Sequence, residues 1–136
     1  MRRLFVDASF WIALHAYRDE HQARARTIFA GLRGQNLEVA TTNWTVYEAL
    51  PQARRRSWEV AATMWRRISE SARIVTVDEK VEREALRRFL EWKDKTASIV
   101  DHASALVAIE ERCDAVASFD ADFGPLVAAT SMTLLR

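Results

Sequence analysis

Apolar runs alternating with amphipathic stretches along the chain predict an α/β protein with a mostly parallel central sheet. Three observations carry that prediction. Short apolar segments at residues 4–6, 37–41, 73–77 and 115–119 are each bounded by polar or turn-forming residues, as strands are. Between them, apolar residues recur three and four apart, the period of a half-buried helix. The first run, Leu4-Phe5-Val6, stops at Asp7. That puts an acid at a strand's carboxyl end, where open α/β sheets form their ligand crevices.

Each element has a local reason. Residues 9–17 read as a helix with Phe10, Ile12, Ala13 and Leu14 available for packing. Arg18-Asp19-Glu20 breaks it, and Asp19 is the expected N-cap of a second helix carrying Ala25, Ile28, Phe29 and Leu32. Gly34 is expected at its C-terminal cap. After the second strand, Thr42-Asn43 caps a helix with Val46, Tyr47, Glu48 and Leu50, which Pro51 should kink or end at Leu50. Arg54-Arg55-Arg56 reads as a solvated helix end, with a secondary reading as a phosphate-contacting patch. Ser57 caps the next helix, whose stripe is read as Trp58, Ala61, Ala62, Trp65 and Ala72. Following the third strand, Asp78 caps a helix with Val81, Ala85, Phe89 and Trp92 on one side. A polar connection at 94–97 leads to a helix over 100–112, with Ala103, Leu106 and Val107 inward. Asp120-Ala121-Asp122 ends the fourth strand, Gly124-Pro125 reads as a turn, and residues 132–135 as a last strand at an edge.

Composition narrows the function classes. At 136 residues, 49% hydrophobic and 29% charged, the chain reads as one globular domain spanning 1–136, with no linker or repeat. No apolar run reaches membrane-spanning length, and the N-terminus lacks a signal peptide's long apolar region, so a cytoplasmic location and no membrane partner are expected. Cys113 is the lone cysteine, which excludes an intrachain disulfide and a cysteine-based zinc site. The net charge of +1 gives no bulk argument for nucleic acid. Seventeen of the twenty basic residues are Arg, suited to bidentate phosphate contacts but equally the product of a GC-rich genome.

The acids are the informative residues. Asp7 and Asp120 end strands, Asp122 follows two residues on, Asp101 opens a helix, and Glu48 sits amid Trp44, Val46, Tyr47 and Leu50. Each has a structural reading. Asp7 or Ser9 can cap a helix; Thr45-x-x-Glu48 and Ser98-x-x-Asp101 match capping-box spacing; Asp120 and Asp122 suit a turn. Capping does not explain why acids gather at strand carboxyl ends. Several carboxylates forced together repel, and Mg²⁺ or Mn²⁺ removes the conflict while taking only one or two of them directly. Hydrolysis of a phosphate ester is the chemistry such a site supports. By contrast, His15, His21 and His102 lack ligand spacing and read as surface or helix histidines. Trp11, Trp44, Trp58, Trp65 and Trp92 read as core or interface rather than base platforms. Neither a glycine-rich phosphate loop nor a nucleophile elbow is present.

Four motifs in order, Phe5-Val6-Asp7-Ala8-Ser9, Thr41-Thr42-Asn43 through Glu48, Ser98-Ile99-Val100-Asp101-His102-Ala103 and Ala117-Ser118-Phe119-Asp120-Ala121-Asp122-Phe123, span most of the chain. Together they resemble a PIN domain, and more narrowly a VapC-type ribonuclease toxin. The resemblance implies a three-layer α/β/α sandwich whose acidic pocket binds Mg²⁺ or Mn²⁺. It gives the acidic quartet to Asp7, Glu48, Asp101 and Asp120, an accessory role to Asp122, and pocket hydroxyls to Ser9 and Ser118. It further implies an endoribonuclease acting on RNA, a homodimer, and a cognate antitoxin. Metal is then expected at Asp7, Asp101 and Asp120, with Glu48 positioning or deprotonating water. Two departures stand out: Pro51 follows the acidic helix position closely, and His102 replaces a small residue. The rival readings are a catalytically silent PIN-like module that binds RNA or protein, and a small phosphatase with an aspartyl nucleophile.

Overall fold

Leu4, Phe5 and Val6 are all fully buried, as an unbroken apolar run requires when a strand is covered on both faces. They form β1 (Arg3–Val6), the middle strand of a five-stranded sheet. A computed structural model of the chain describes residues 1–16, 18–93 and 96–136. After β1 come α1 (Ala8–His15), α2 (Gln22–Leu32), β2 (Glu38–Thr42), α3 (Asn43–Arg56), α4 (Trp58–Ser71) and β3 (Ala72–Val75). The second half holds α5 (Glu79–Glu91), α6 (Ile99–Glu110), β4 (Ala115–Ala117), α7 (Phe123–Ala128) and β5 (Thr133–Leu135). The strands lie in the order β3-β2-β1-β4-β5 and every neighbouring pair is parallel.

Alternation along the strands splits the core in two. Leu4 and Val6, with Val39, Ala115 and Ala117, face a cluster built from α1 to α4 (Phe10, Ala25, Val46, Ala49, Met64 and Ile68). Phe5, Ala40 and Val116 face the opposite cluster, built from α5 to α7 (Val81, Ala85, Ala103, Val107 and Phe123). The result is the expected α/β/α sandwich, with a sheet that is parallel throughout. No helix among the described residues is long and apolar enough to cross a membrane.

Several expectations need correction. Asp19 is not the N-cap of α2. His21 holds that position, and Asp19 Oδ1 accepts the His21 N–H at 2.9 Å in a turn just before the helix. Pro51 does not end α3, which runs on to Arg56. Pro51 is exposed, so the Tyr47 carbonyl that lacks its amide donor faces solvent, while buried Ala49 and Ala53 hold the opposite side to the core. Replacing Pro51 with Ala restores that donor, and we expect a gain of roughly 1–3 kcal/mol, read as a higher melting temperature.

The buried stripe of α4 also differs from the expected one. Trp58 and Trp65 are 62% and 44% exposed, and Ala72 lies in β3. Met64 and Ile68 are the buried residues of that helix. On α5, Val81 and Ala85 are buried as expected but Phe89 is 40% exposed. Gly124-Pro125 is not a free turn but lies within the first turn of α7, where proline's missing N–H would have had no intrahelical partner. Gly34 has φ +84, the left-handed conformation expected just past a helix end. The expected end of the first helix at Tyr17, and Asp94 and Lys95 at the start of the predicted connection, lie outside the described residues.

Candidate metal centre

From β1 the chain builds β2 and β3 to one side, and later β4 and β5 to the other. The order therefore reverses between β1 and β4, and a crevice opens beyond their carboxyl ends. Val6 pairs with Ala117, and Asp7 N–H donates to Ala117 O at 3.1 Å, so Asp7 and Ser118 leave neighbouring strands side by side. Asp7 is 2% exposed. Its Oδ2 accepts from Ser118 Oγ at 2.8 Å and from Ser9 Oγ at 3.0 Å. Ser9 Oγ accepts the Phe119 N–H and Ser118 Oγ accepts the Asp120 N–H, both at 3.0 Å. The two serines thus tie β1's exit to β4's exit through the carboxylate they share.

Glu48 and Asp101 come from helices on opposite faces of the sheet. Thr42 Oγ1 caps α3 by accepting Thr45 N–H at 3.0 Å. Thr45 Oγ1 lies 2.9 Å from Thr42 Oγ1 and 3.2 Å from Ser104 Oγ of α6, all of them buried. Residues three apart share a helix face. Thr45 is three before Glu48 and Ser104 three after Asp101, so this hydroxyl link holds the two acids in register. From the sequence Thr45 reads only as a candidate cap paired with Glu48, and Ser104 is not singled out; the Thr42-x-x-Thr45 cap spacing was the available signal. Asp101 also completes a capping box: Ser98 Oγ accepts Asp101 N–H at 3.0 Å, and Asp101 Oδ2 accepts Ser98 N–H at 2.9 Å. Here the structural and the chemical readings of one residue are both met.

The acids meet in two overlapping groups. Asp7, Glu48 and Asp101 each offer a carboxylate oxygen within 4.8 Å of the others, as do Asp101, Asp120 and Asp122. Burial, with the charges of Asp7, Asp101 and Asp120, pushes Glu48 up to about 7. Burial also raises Asp101 to about 6, with Asp7 and Asp120 adding to it and Ser98 opposing. Asp7 is raised by burial against the hydrogen bonds of Ser118, Ala8 and Ser9. Asp7 Oδ1 is buried without a hydrogen-bond partner among the described residues. An unmatched buried carboxylate oxygen beside two more carboxylates is what a hard cation satisfies, so the donor set fits Mg²⁺ or Mn²⁺.

Other candidates stand apart. Arg54, Arg55 and Arg56 form the last turn of α3, about two turns beyond Glu48; Arg56 lies 3.6 Å from Asp19. They suit the negative end of the helix dipole. His102 is buried with its ring set edge-on to Trp92 at 4.9 Å, and does not join either acidic group.

The PIN domain model matches residues 4–126. VapC20 from Mycobacterium tuberculosis, a sarcin–ricin-loop-cleaving toxin, is 26% identical with a TM-score of 0.81, over 96% of this chain and 98% of that one. VapBC2 from Rickettsia felis, solved on a promoter DNA fragment, is 15% identical with a TM-score of 0.70, over 97% and 96%. VapBC-5 from M. tuberculosis is 19% identical with a TM-score of 0.60, over 100% and 99%; these last two likenesses speak to fold. No curated protein matches the chain by sequence. With the family model matching residues 4–126 of its 136, the chain belongs to the PIN domain family.

Proposed function

We propose that the protein is a metal-dependent endoribonuclease and the toxin of a toxin–antitoxin pair. The observation that carries this reading is the acidic cluster around Asp7, whose second carboxylate oxygen is buried without a partner. Asp101, common to both acidic groups, with Asp7 on one side and Asp120 on the other, would hold Mg²⁺ or Mn²⁺ directly or through water. Ser9 and Ser118 engage Asp7 Oδ2 and leave Oδ1 for the ion, and Ser98 does the same for one oxygen of Asp101. When bound, the ion makes hydroxide available near neutral pH and screens charge on the attacking and leaving oxygens. Glu48, with a pKa raised to about 7, is poised to take a proton from the attacking water. Asp122 supports the edge through its N–H to Asp120 Oδ1 at 2.9 Å. RNA is the substrate and a cognate antitoxin the inhibitor; the active form is a homodimer in the cytoplasm. The VapBC neighbours support the antitoxin partner.

Attack by water with the P–O3′ bond breaking leaves 5′-phosphate and 3′-hydroxyl ends, whereas attack by the ribose 2′-hydroxyl with the 5′-oxygen leaving would give a cyclic phosphate. The test is to map RNA ends produced by the purified protein with Mg²⁺ or Mn²⁺ and in excess EDTA. We expect 5′-phosphate ends with metal and none above background in EDTA. Undiminished cleavage in EDTA, or cyclic-phosphate ends, would contradict the mechanism.

A further inference from the structure

A column of parallel rings rises from the core beside the acidic cluster. Phe10, fully buried on α1, stacks on Phe119 at 5.3 Å between centroids and 6° between planes. His21 stacks on Phe119 at 4.3 Å and 4°. Phe119 stacks with both rings, and since Phe10 is fully buried, His21 is the outer ring. Its side chain is 42% exposed.

The column is fixed relative to the acids. Phe119 lies between Ser118, which donates to Asp7 Oδ2, and Asp120 of the second acidic group, and its own N–H is held by Ser9 Oγ. On the His21 side, the backbone N–H is held by Asp19 Oδ1 at 2.9 Å, and Asp19 Oδ2 lies 3.6 Å from Arg56. Glu20 Oε1 sits 3.3 Å from His21 Nε2, at the edge of the ring. His21 also occupies the N-cap of α2 without making a side-chain cap bond. Ser, Thr, Asp or Asn would serve a helix better there, so the cap does not account for an imidazole at this position.

We propose that His21 is a nucleobase-stacking platform, on which one base of a single-stranded RNA adds a further ring to the Phe10–Phe119–His21 column. The proposal rests on the nuclease reading above, because it takes RNA as the substrate of the neighbouring acids. Chemistry at the spot favours a base over a phosphate. The exposed Glu20 carboxylate at the ring's edge disfavours a phosphate there, whereas every base offers a π-face irrespective of its sequence. A base paired and stacked within a helix has no free face, which points to an unpaired nucleotide in a loop or a single strand. His21 would then position the substrate strand, with no part in the bond-breaking step.

The test uses the full chain carrying Asp101→Asn, to suppress cleavage, in Mg²⁺, with single-stranded RNA oligonucleotides bearing 2-aminopurine at successive positions. We expect quenching at one position when residue 21 is His. His21→Ala and His21→Leu should abolish the quench and weaken binding roughly 5- to 100-fold, the range of one base–aromatic stack, while His21→Phe retains both. Leu preserves bulk against Phe119 without a π-face, so a purely packing role would leave Leu equivalent to Phe and would overturn the proposal. Equal quenching in all four proteins, or no quenching at any position, would overturn it as well. Failure of the nuclease reading registers separately, as uncut RNA with the otherwise wild-type protein in Mg²⁺.

Discussion

Asp7→Asn and Asp101→Asn should each yield a folded protein whose RNA cleavage is slower by about 10²–10⁴-fold, the scale on which a positioned charge contributes to catalysis. Asparagine retains a carbonyl oxygen for the existing donors: Ser9 and Ser118 at position 7, Ser98 N–H at position 101. What it removes is one negative charge from a cluster where Glu48 and Asp101 are already pushed up to about 7 and about 6. Less repulsion leaves the metal-free fold as stable or more stable. Lost activity with an unchanged or raised melting temperature is therefore the expected pair of results. Asp101→Ala would be a poorer choice, since it also removes half of a capping box and costs about 0.5–2 kcal/mol by that route. Cleavage within tenfold of the unsubstituted protein in either Asn variant would remove that residue from the proposed centre.

The same charge cluster should make the metal-free protein lose stability as pH rises. Glu48, Asp101 and Asp7 all have folded-state pKa values above their ordinary ones. The folded chain then binds more protons than the unfolded chain between the two sets of values. Their stabilising contribution is complete below about pH 4 and is lost as pH climbs through about 6 and then about 7. His15 and His102 act in the opposite sense, because burial lowers their pKa values and stability rises with pH up to about 6.5. Glu84 and Asp114, lowered by their partners, matter only in more acidic solution. The informative comparison is consequently Glu48→Gln against the unsubstituted protein, both metal-free. Its advantage should be small near pH 5 and grow to about 1–2 kcal/mol by about pH 8, allowing for solvent screening at this half-buried group. Mg²⁺ or Mn²⁺ should narrow the gap by stabilising the protein that still carries all its acids. Thermal melts across pH, with and without metal, read all of this directly. An advantage that does not grow with pH would show that burial and the neighbouring acids do not raise the Glu48 carboxyl.

Much of this was legible because the strongest signals were local. Asp7 and Asp120 follow short apolar runs, and the parallel sheet puts both run ends at one edge. Ser57, Asp78 and Ser98 cap the helices that their spacing announced. The misreadings came from long-range choices. Trp58 and Trp65 look like the buried stripe of α4 because they are the largest apolar residues in it, yet the packing against α1 and α3 selects Met64 and Ile68. Pro51 looks like a stop because local backbone chemistry says so, and the burial of Ala49 and Ala53 overrides it. The link from Thr45 to Ser104 joins residues 59 positions apart and carries no local signature of its own. His21 was set aside because it lacked metal-ligand spacing, and its partner Phe119 is 98 positions away in sequence.

The reversal of strand order between β1 and β4 has a consequence for when the centre comes into being. Asp7 and Glu48 belong to the first half of the chain, Asp101 and Asp120 to the second, and the β1–β4 seam unites them together with the Thr45–Ser104 link between α3 and α6. A chain growing from its N-terminus contains the first two acids long before the last one exists. Any fragment ending ahead of Ser118 lacks Asp120 and also the Ser118 hydroxyl that steadies Asp7. The full set of acids is therefore complete only in a chain long enough to dock β4 beside β1 and carry on to Asp120.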